Sequence, residues 1–193
     1  MANVEMWFPV CIYKQEDLLS VEENQIVKDA CLELQTTVPA GGEDWVGGTY
    51  NTHGTSDLLS DPRFGLLFER TAEHVHKFAE MFGSKGIYKN DYSWINVATT
   101  GNYQEFHTHN NNVFSVVYYA AATEGSGNIV FEDPKEPDMC GLKNVPAKTP
   151  LSFTRIGYPA TEGMLLIFRS YLRHLVEPGT NTEPRISVAM NFN

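Results

Sequence analysis

At 193 residues the chain falls within the usual range of one domain and can bury most of the apolar surface that its unfolded form exposes. With 42% hydrophobic and 20% charged residues it has the composition of an ordinary soluble globular protein, and no apolar run approaches the roughly 20 residues of a membrane-spanning helix. A formal charge of −10 repels phosphate backbones and anionic lipid surfaces, so neither nucleic acid nor membrane is an expected partner. The N-terminal MANVEMWFPV lacks the basic stretch, apolar segment and cleavage site of a secretory signal. Cys11, Cys31 and Cys140 are odd in number and widely spaced, and together these features predict a reduced, cytoplasmic setting.

WFPVCIYK reads as an extended apolar stretch, followed by Ser20 and Glu23 at the spacing of a capping box. The helix that follows places Ile26, Val27, Ala30, Cys31 and Leu34 on one side. Residues 41–57, GGEDWVGGTYNTHGTSD, carry five glycines, few aliphatics and the rings of Trp45, Tyr50 and His53, which predicts a long surface loop able to act as a lid. A second helix is marked by Asp61 as its cap, Pro62 at its first position and Gly83 at its end, with Phe64, Leu67, Phe68, Val75, Phe78 and Phe82 as its apolar stripe. His74 and His76 on that helix lie about 200° apart around its axis and cannot converge on one ion.

From Tyr92 onward the period changes to two. Short extended runs occur at SWINV, NVFSVVYYAA, NIVFED, LSFTRI, MLLIF, HLV and RISVAMNF, separated by Gly, Pro and Asn turns. Many short strands after two helices predict a mainly β (α+β) fold, a jelly-roll or cupin-like barrel with the N-terminal helices packed on one sheet. A single domain over 1–193 is expected, with 1–90 as helical support and lid loop and 91–193 as the barrel that carries the site. Along the last strand Ile186, Val188, Met190 and Phe192 face one way, and Arg185, Ser187, Ala189 and Asn191 the other. The apolar side should meet the helices, which turns Arg185 into the barrel, where a bound anion or an acidic side chain must compensate it.

His107 and His109, one residue apart on an extended segment, project to the same face and can occupy adjacent positions on one metal. Such a pair is also common as a plain polar strand face. His174 opens the run HLV directly after an apolar strand and adds a third imidazole, and Arg185 follows it by 11 positions. Three imidazoles suit Fe, and also Zn, Ni or Cu.

At these residues the sequence resembles the 2-oxoglutarate and Fe(II)-dependent oxygenases, over roughly residues 92–193. HLVEPGTNTEPRISVAMNFN resembles the distal half of prolyl-hydroxylase-type members, and HTHNNNVFSVVYYA is similar to the proximal half. More narrowly, SWINV, the His-x-His, the VYY strand, FEDP and ISVAMNFN resemble a small group of oxygenases of marine bacteria and their phages. The resemblance implies a double-stranded β-helix and a hydroxylase of a small molecule or a protein side chain. It also implies Fe(II) as metal, bound by His107, His109 and His174, and 2-oxoglutarate as cosubstrate. Arg185 and Ser187 match the Arg-x-Ser socket for the far carboxylate of 2-oxoglutarate, Tyr119 matches a tyrosine whose hydroxyl reaches the same group, and Asn96 is placed to bind the near end. Tyr103 is placed on the substrate side.

One departure is plain: position 109 is His where the wider family has Asp or Glu, and Glu105, two residues ahead of His107 on the same expected strand face, is a candidate substitute carboxylate. Two other readings stand beside this one, a three-His dioxygenase of cupin type without 2-oxoglutarate and a non-catalytic metal-binding barrel. The sequence leaves a homodimer open.

Overall fold

In a computed structural model, which describes residues 2–42, 45–135 and 143–193, ten strands and two α-helices are found among the described residues. Strand β1 (Ile12–Gln15) leads into helix α1 (Val21–Thr37), whose capping box forms as read: the Glu23 N–H donates to Ser20 Oγ at 3.2 Å, and the Ser20 N–H donates to Glu23 Oε2 at 2.8 Å. Its buried side holds Val27, Ala30, Cys31 and Leu34, but Ile26 lies at the margin of the stripe and stays 54% exposed. Asn24 is buried instead, accepting from the Tyr118 hydroxyl at 2.6 Å and donating to the Ala120 carbonyl at 3.0 Å. Only the end of the first apolar stretch pairs as a strand, and Trp7 and Phe8 ahead of it are exposed.

Asp61 caps a single 3-10 turn, Pro62–Phe64, from which α2 (Gly65–Met81) continues, and Gly83 at φ +76° supplies the left-handed residue beyond its end. Phe64, Leu67, Val75 and Phe78 are buried, while Phe82 remains 44% exposed. Both histidines of this helix have structural partners. Tyr13 Oη lies 2.8 Å from His74 Nδ1, and His76 takes the Tyr88 N–H on Nε2 and bonds the Ala72 carbonyl through Nδ1.

The remaining strands are β2 (Tyr50–Asn51), β3 (Asn90–Ala98), β4 (Gln104–His107), β5 (Phe114–Ala121), β6 (Asn128–Glu132), β7 (Arg155–Pro159), β8 (Leu165–Arg169), β9 (His174–Val176) and β10 (Arg185–Phe192). They form a six-stranded sheet in the order β1-β8-β5-β10-β3-β2 and a four-stranded sheet β4-β9-β6-β7, antiparallel throughout: the double-stranded β-helix. The run LSFTRI is a strand only from Arg155, because Thr149 and Ser152 close a turn upstream, with the Thr149 N–H donating to Ser152 Oγ at 2.8 Å.

Alternation on β10 divides the molecule. Ile186, Val188, Met190 and Phe192 join the core shared by the helices and one face of the large sheet. On the other face Tyr119, Leu166 and Phe168 meet Ile129 and Phe131 of the small sheet in a second, smaller core, beside which the site opens. Among the described residues no helix is long and apolar enough to cross a membrane. Cys11 and Cys31 are free thiols, burial pushes the Cys31 thiol up, and Cys140 lies outside the described residues.

Candidate metal centre and anion socket

Strands β4 and β9 pair so that His107 stands opposite His174, and β6 places Phe131 on the other side of His174. His109 follows the end of β4 and is fixed by its backbone N–H, which donates to the Ser170 carbonyl at 3.1 Å in the connection between β8 and β9. The three rings converge, with centroids 4.2 Å (107–174), 5.1 Å (107–109) and 5.2 Å (109–174) apart, and their candidate ligand atoms lie within 4.8 Å of one another.

The ring nitrogens are already sorted. His107 Nδ1 lies 2.8 Å from the Glu105 carbonyl and His174 Nδ1 lies 2.9 Å from the Leu172 carbonyl. A carbonyl only accepts, so Nδ1 carries the proton and Nε2 presents its lone pair, the arrangement in which backbone partners orient metal-binding imidazoles. Burial, first of all, holds His107 below the ordinary histidine range, takes His109 down to about 3 with help from His107 and His53, and takes His174 well below its usual value. Three neutral imidazoles facing one point are a donor set for a divalent transition metal.

Strand β4 contains one residue more than β9 between their two registered pairs, since Gln104 faces Val176 and His107 faces His174. That bulge breaks the alternation read from the sequence. Gln104 lines the cavity with His107, and Glu105 falls outside the group of side chains that could share an ion, so it is not the substitute ligand.

Arg185 lies in the same cavity, 5% exposed, on the inner face of β10. Its Nη1 donates to the Ser126 carbonyl at 2.7 Å, and among the described residues no carboxylate pairs with it. Desolvation depresses its pKa, while Tyr119 nearby acts the other way. Ser187 shares its face, stands opposite Asn96 on β3 and Tyr119 on β5, and all four side chains line the cavity. The Tyr119 hydroxyl is pushed up to about 12 by burial, so it stays a neutral donor. A buried guanidinium beside two hydroxyls and an amide can take a carboxylate by charge-assisted hydrogen bonds.

The cavity encloses about 70 Å³ and is partly open to solvent. Its wall includes Trp94 and Gln104, which the sequence reading does not name as site residues, and Trp45 and Thr49 of the segment expected as a lid. The period-two alternation on β3 was enough to find Trp94, which shares a face with Asn96. Tyr103 does not line the cavity; its backbone is bonded to Gly47 and its side chain is 37% exposed. The segment expected as a free loop is tied down: Tyr50 and Asn51 extend the large sheet, the Thr52 N–H donates to the Ile95 carbonyl, and the His53 ring packs edge-on against Tyr92 and Trp94.

Residues 92–191 match the model of a family described as "Putative 2OG-Fe(II) oxygenase". The chain belongs to the 2OG-Fe(II) oxygenase family. Fe(II) as metal and 2-oxoglutarate as cosubstrate follow from that membership, and the three-imidazole cluster and the unpaired buried guanidinium both fit such a pair. Solved structures share the fold of this oxygenase. A prolyl-4-hydroxylase of Pseudomonas putida is 11% identical, with 95% of this chain and 92% of that chain covered at a TM-score of 0.68. HygX of Streptomyces hygroscopicus, solved with nickel, 2-oxoglutarate and hygromycin B, is 11% identical over 95% and 83% at 0.65. The viral collagen prolyl hydroxylase of Paramecium Bursaria Chlorella virus-1, in complex with 2OG, is 11% identical over 94% of each chain at 0.59. No curated protein sequence matches the oxygenase significantly.

Proposed function

We propose that this oxygenase hydroxylates a small molecule or a protein side chain, with His107, His109 and His174 as metal ligands and Arg185, Ser187, Tyr119 and Asn96 as the seat of 2-oxoglutarate. The observation that carries this reading is Arg185, a cation buried in the same cavity as three convergent imidazoles and left without an acidic partner among the described residues. Bound Fe(II), with 2-oxoglutarate and dioxygen, would supply the oxidising chemistry, giving succinate, carbon dioxide and the hydroxylated substrate.

The residues of the chain divide the remaining work. His107 and His174 would offer Nε2 and His109 a ring nitrogen to the ion, leaving its remaining positions to the cosubstrate and dioxygen. The Arg185 fork takes the far carboxylate at two points, and the hydroxyls of Ser187 and Tyr119 donate to the same group. Asn96 donates to the near end. The aromatic wall of Trp45 and Trp94 keeps water from the metal face, and Gln104 and Thr49 meet the substrate at the mouth. That fold relatives include one solved with a hypoxia-inducible-factor peptide fragment and one with hygromycin B supports both substrate classes. We place the oxygenase in a reducing compartment, on the free thiols of Cys11 and Cys31, and in the marine bacterial and phage group that its motifs resemble.

Anaerobic titration of the Fe(II)-loaded protein with 2-oxoglutarate tests the reading through the visible charge-transfer band of the chelate. A protein that holds iron and develops no band is a three-His dioxygenase without this cosubstrate, or an inert barrel.

A further inference from the structure

Three imidazoles bring no negative charge to a divalent ion, and among the described residues no Asp or Glu lines the cavity around them. One carboxylate nevertheless stands beside the cluster. Glu105 lies two residues ahead of His107, and its backbone carbonyl accepts a hydrogen bond from His107 Nδ1 at 2.8 Å. Its side chain is only half satisfied: Oε2 accepts from Gln104 Nε2 at 3.2 Å, whereas Oε1 is buried with no hydrogen-bond partner among the described residues. Among the described residues no Lys or Arg pairs with it, and the His107 ring turns its Nδ1 to the Glu105 backbone carbonyl, not to the carboxylate. A buried carboxylate oxygen left in that condition is unfavourable unless a positive charge sits close by.

We propose that Glu105 is the counter-charge of the metal centre: it stands outside the ligand set, behind His107, and supplies the negative charge that His109 does not bring. The inference rests on His107, His109 and His174 being the ligands. The extra residue in β4 makes the arrangement: it gives the inward position to Gln104, takes Glu105 out of ligand range, and leaves the Glu105 backbone bonded to the ring it serves. Glu105 is thus a positioning and charge-compensating residue that never touches the ion. Its effect has opposite signs in the two states of the protein, unfavourable without metal and favourable with it, which a purely structural side chain does not show.

Calorimetric titration of the chelator-stripped full chain with Ni(II), beside thermal unfolding of the metal-free protein, separates these. Glu105→Gln, similar in shape and uncharged, is expected to weaken Ni(II) binding by about 10- to 100-fold, the usual effect of removing a partner behind a ligand. Its metal-free unfolding midpoint should hold or rise, and Glu105→Asp should recover part of the lost affinity. A Glu105→Gln protein that binds Ni(II) within about twofold of the parent, against the loss usual for such partners, overturns the inference. So does a metal-free midpoint that falls together with the affinity, with Glu105→Asp no better than Glu105→Gln. A parent chain that takes up no Ni(II) overturns the three-histidine site itself.

Discussion

Replacing Arg185 by Ala separates cosubstrate binding from metal binding. Arg185 is 5% exposed, has a single carbonyl partner at 2.7 Å among the described residues and lines the cavity together with Ser187 and Tyr119, so a carboxylate bound there would lose its only formal counter-charge among the lining residues. Truncating one partner of a buried, hydrogen-bonded charge pair costs about 2–5 kcal/mol. At about 1.4 kcal/mol per tenfold, 2-oxoglutarate affinity should fall by roughly 30-fold to several thousand-fold. The histidines are untouched, so the metal content of the loaded protein should not change. The metal-free, cosubstrate-free protein should lose little stability, because the substitution also removes a buried cation that has no acidic partner among the described residues. The assay is anaerobic calorimetry of Ni(II)-loaded parent and variant with 2-oxoglutarate, with metal analysis of both. An affinity within about threefold of the parent, well short of the expected loss, would refute the socket, and a parallel loss of metal would refute its independence from the triad.

His174→Ala should abolish stoichiometric metal uptake, as measured by elemental analysis after dialysis, because it removes the most buried of the three imidazoles. Tyr118→Phe removes the 2.6 Å bond to Asn24 and leaves a buried amide oxygen without its donor; urea unfolding should show a loss of about 1–3 kcal/mol. Phe106→Ala strips the ring over which Arg155 and Arg173 lie at 5.0 and 4.6 Å while both pair with Glu132, and should cost about 0.5–1 kcal/mol per contact in the same assay. In the metal-free protein the depressed histidines 53, 74, 107, 109 and 174 resist protons that the unfolded chain accepts. Stability should therefore be full above pH about 6.5 and fall below it, by up to about 1.4 kcal/mol per pH unit for each fully buried histidine. Urea midpoints at pH 7.5, 6.5 and 5.5 check this, and a flat series would contradict it.

Much of the fold could be read because its strands alternate and its helices carry explicit start and stop residues. The Ser20–Glu23 box, the Asp61-Pro62 start and the inward turn of Arg185 are local signals, and each appears where the local chemistry put it. What escaped the reading depends on partners distant in sequence. Ile26 has the right spacing but stays half exposed, whereas Asn24, polar and unpromising, is buried and bonded to Tyr118 and Ala120 of β5. Residues 41–57 look like a loop by composition, yet β3 had an open edge for Tyr50 and Asn51 to join. At the site, the convergence of three histidines was legible because His174 opens a strand. The bulge in β4 was not, since it shows only when β9 is laid beside it, and it decided the places of Gln104, Glu105 and Tyr103.

Strand β10 sits between β3 and β5 and carries the proposed anion socket on one side and four residues of the main core on the other. A slip of one residue would put a guanidinium among aliphatic side chains and an isoleucine where an anion is meant to rest. Recognition and foldability are therefore written into the same eight residues, and neither can drift alone. The rest of the cavity wall is supplied by other segments, with Trp45, Thr49 and Gln104 among its lining residues, and these positions lie outside the strand that carries both tasks.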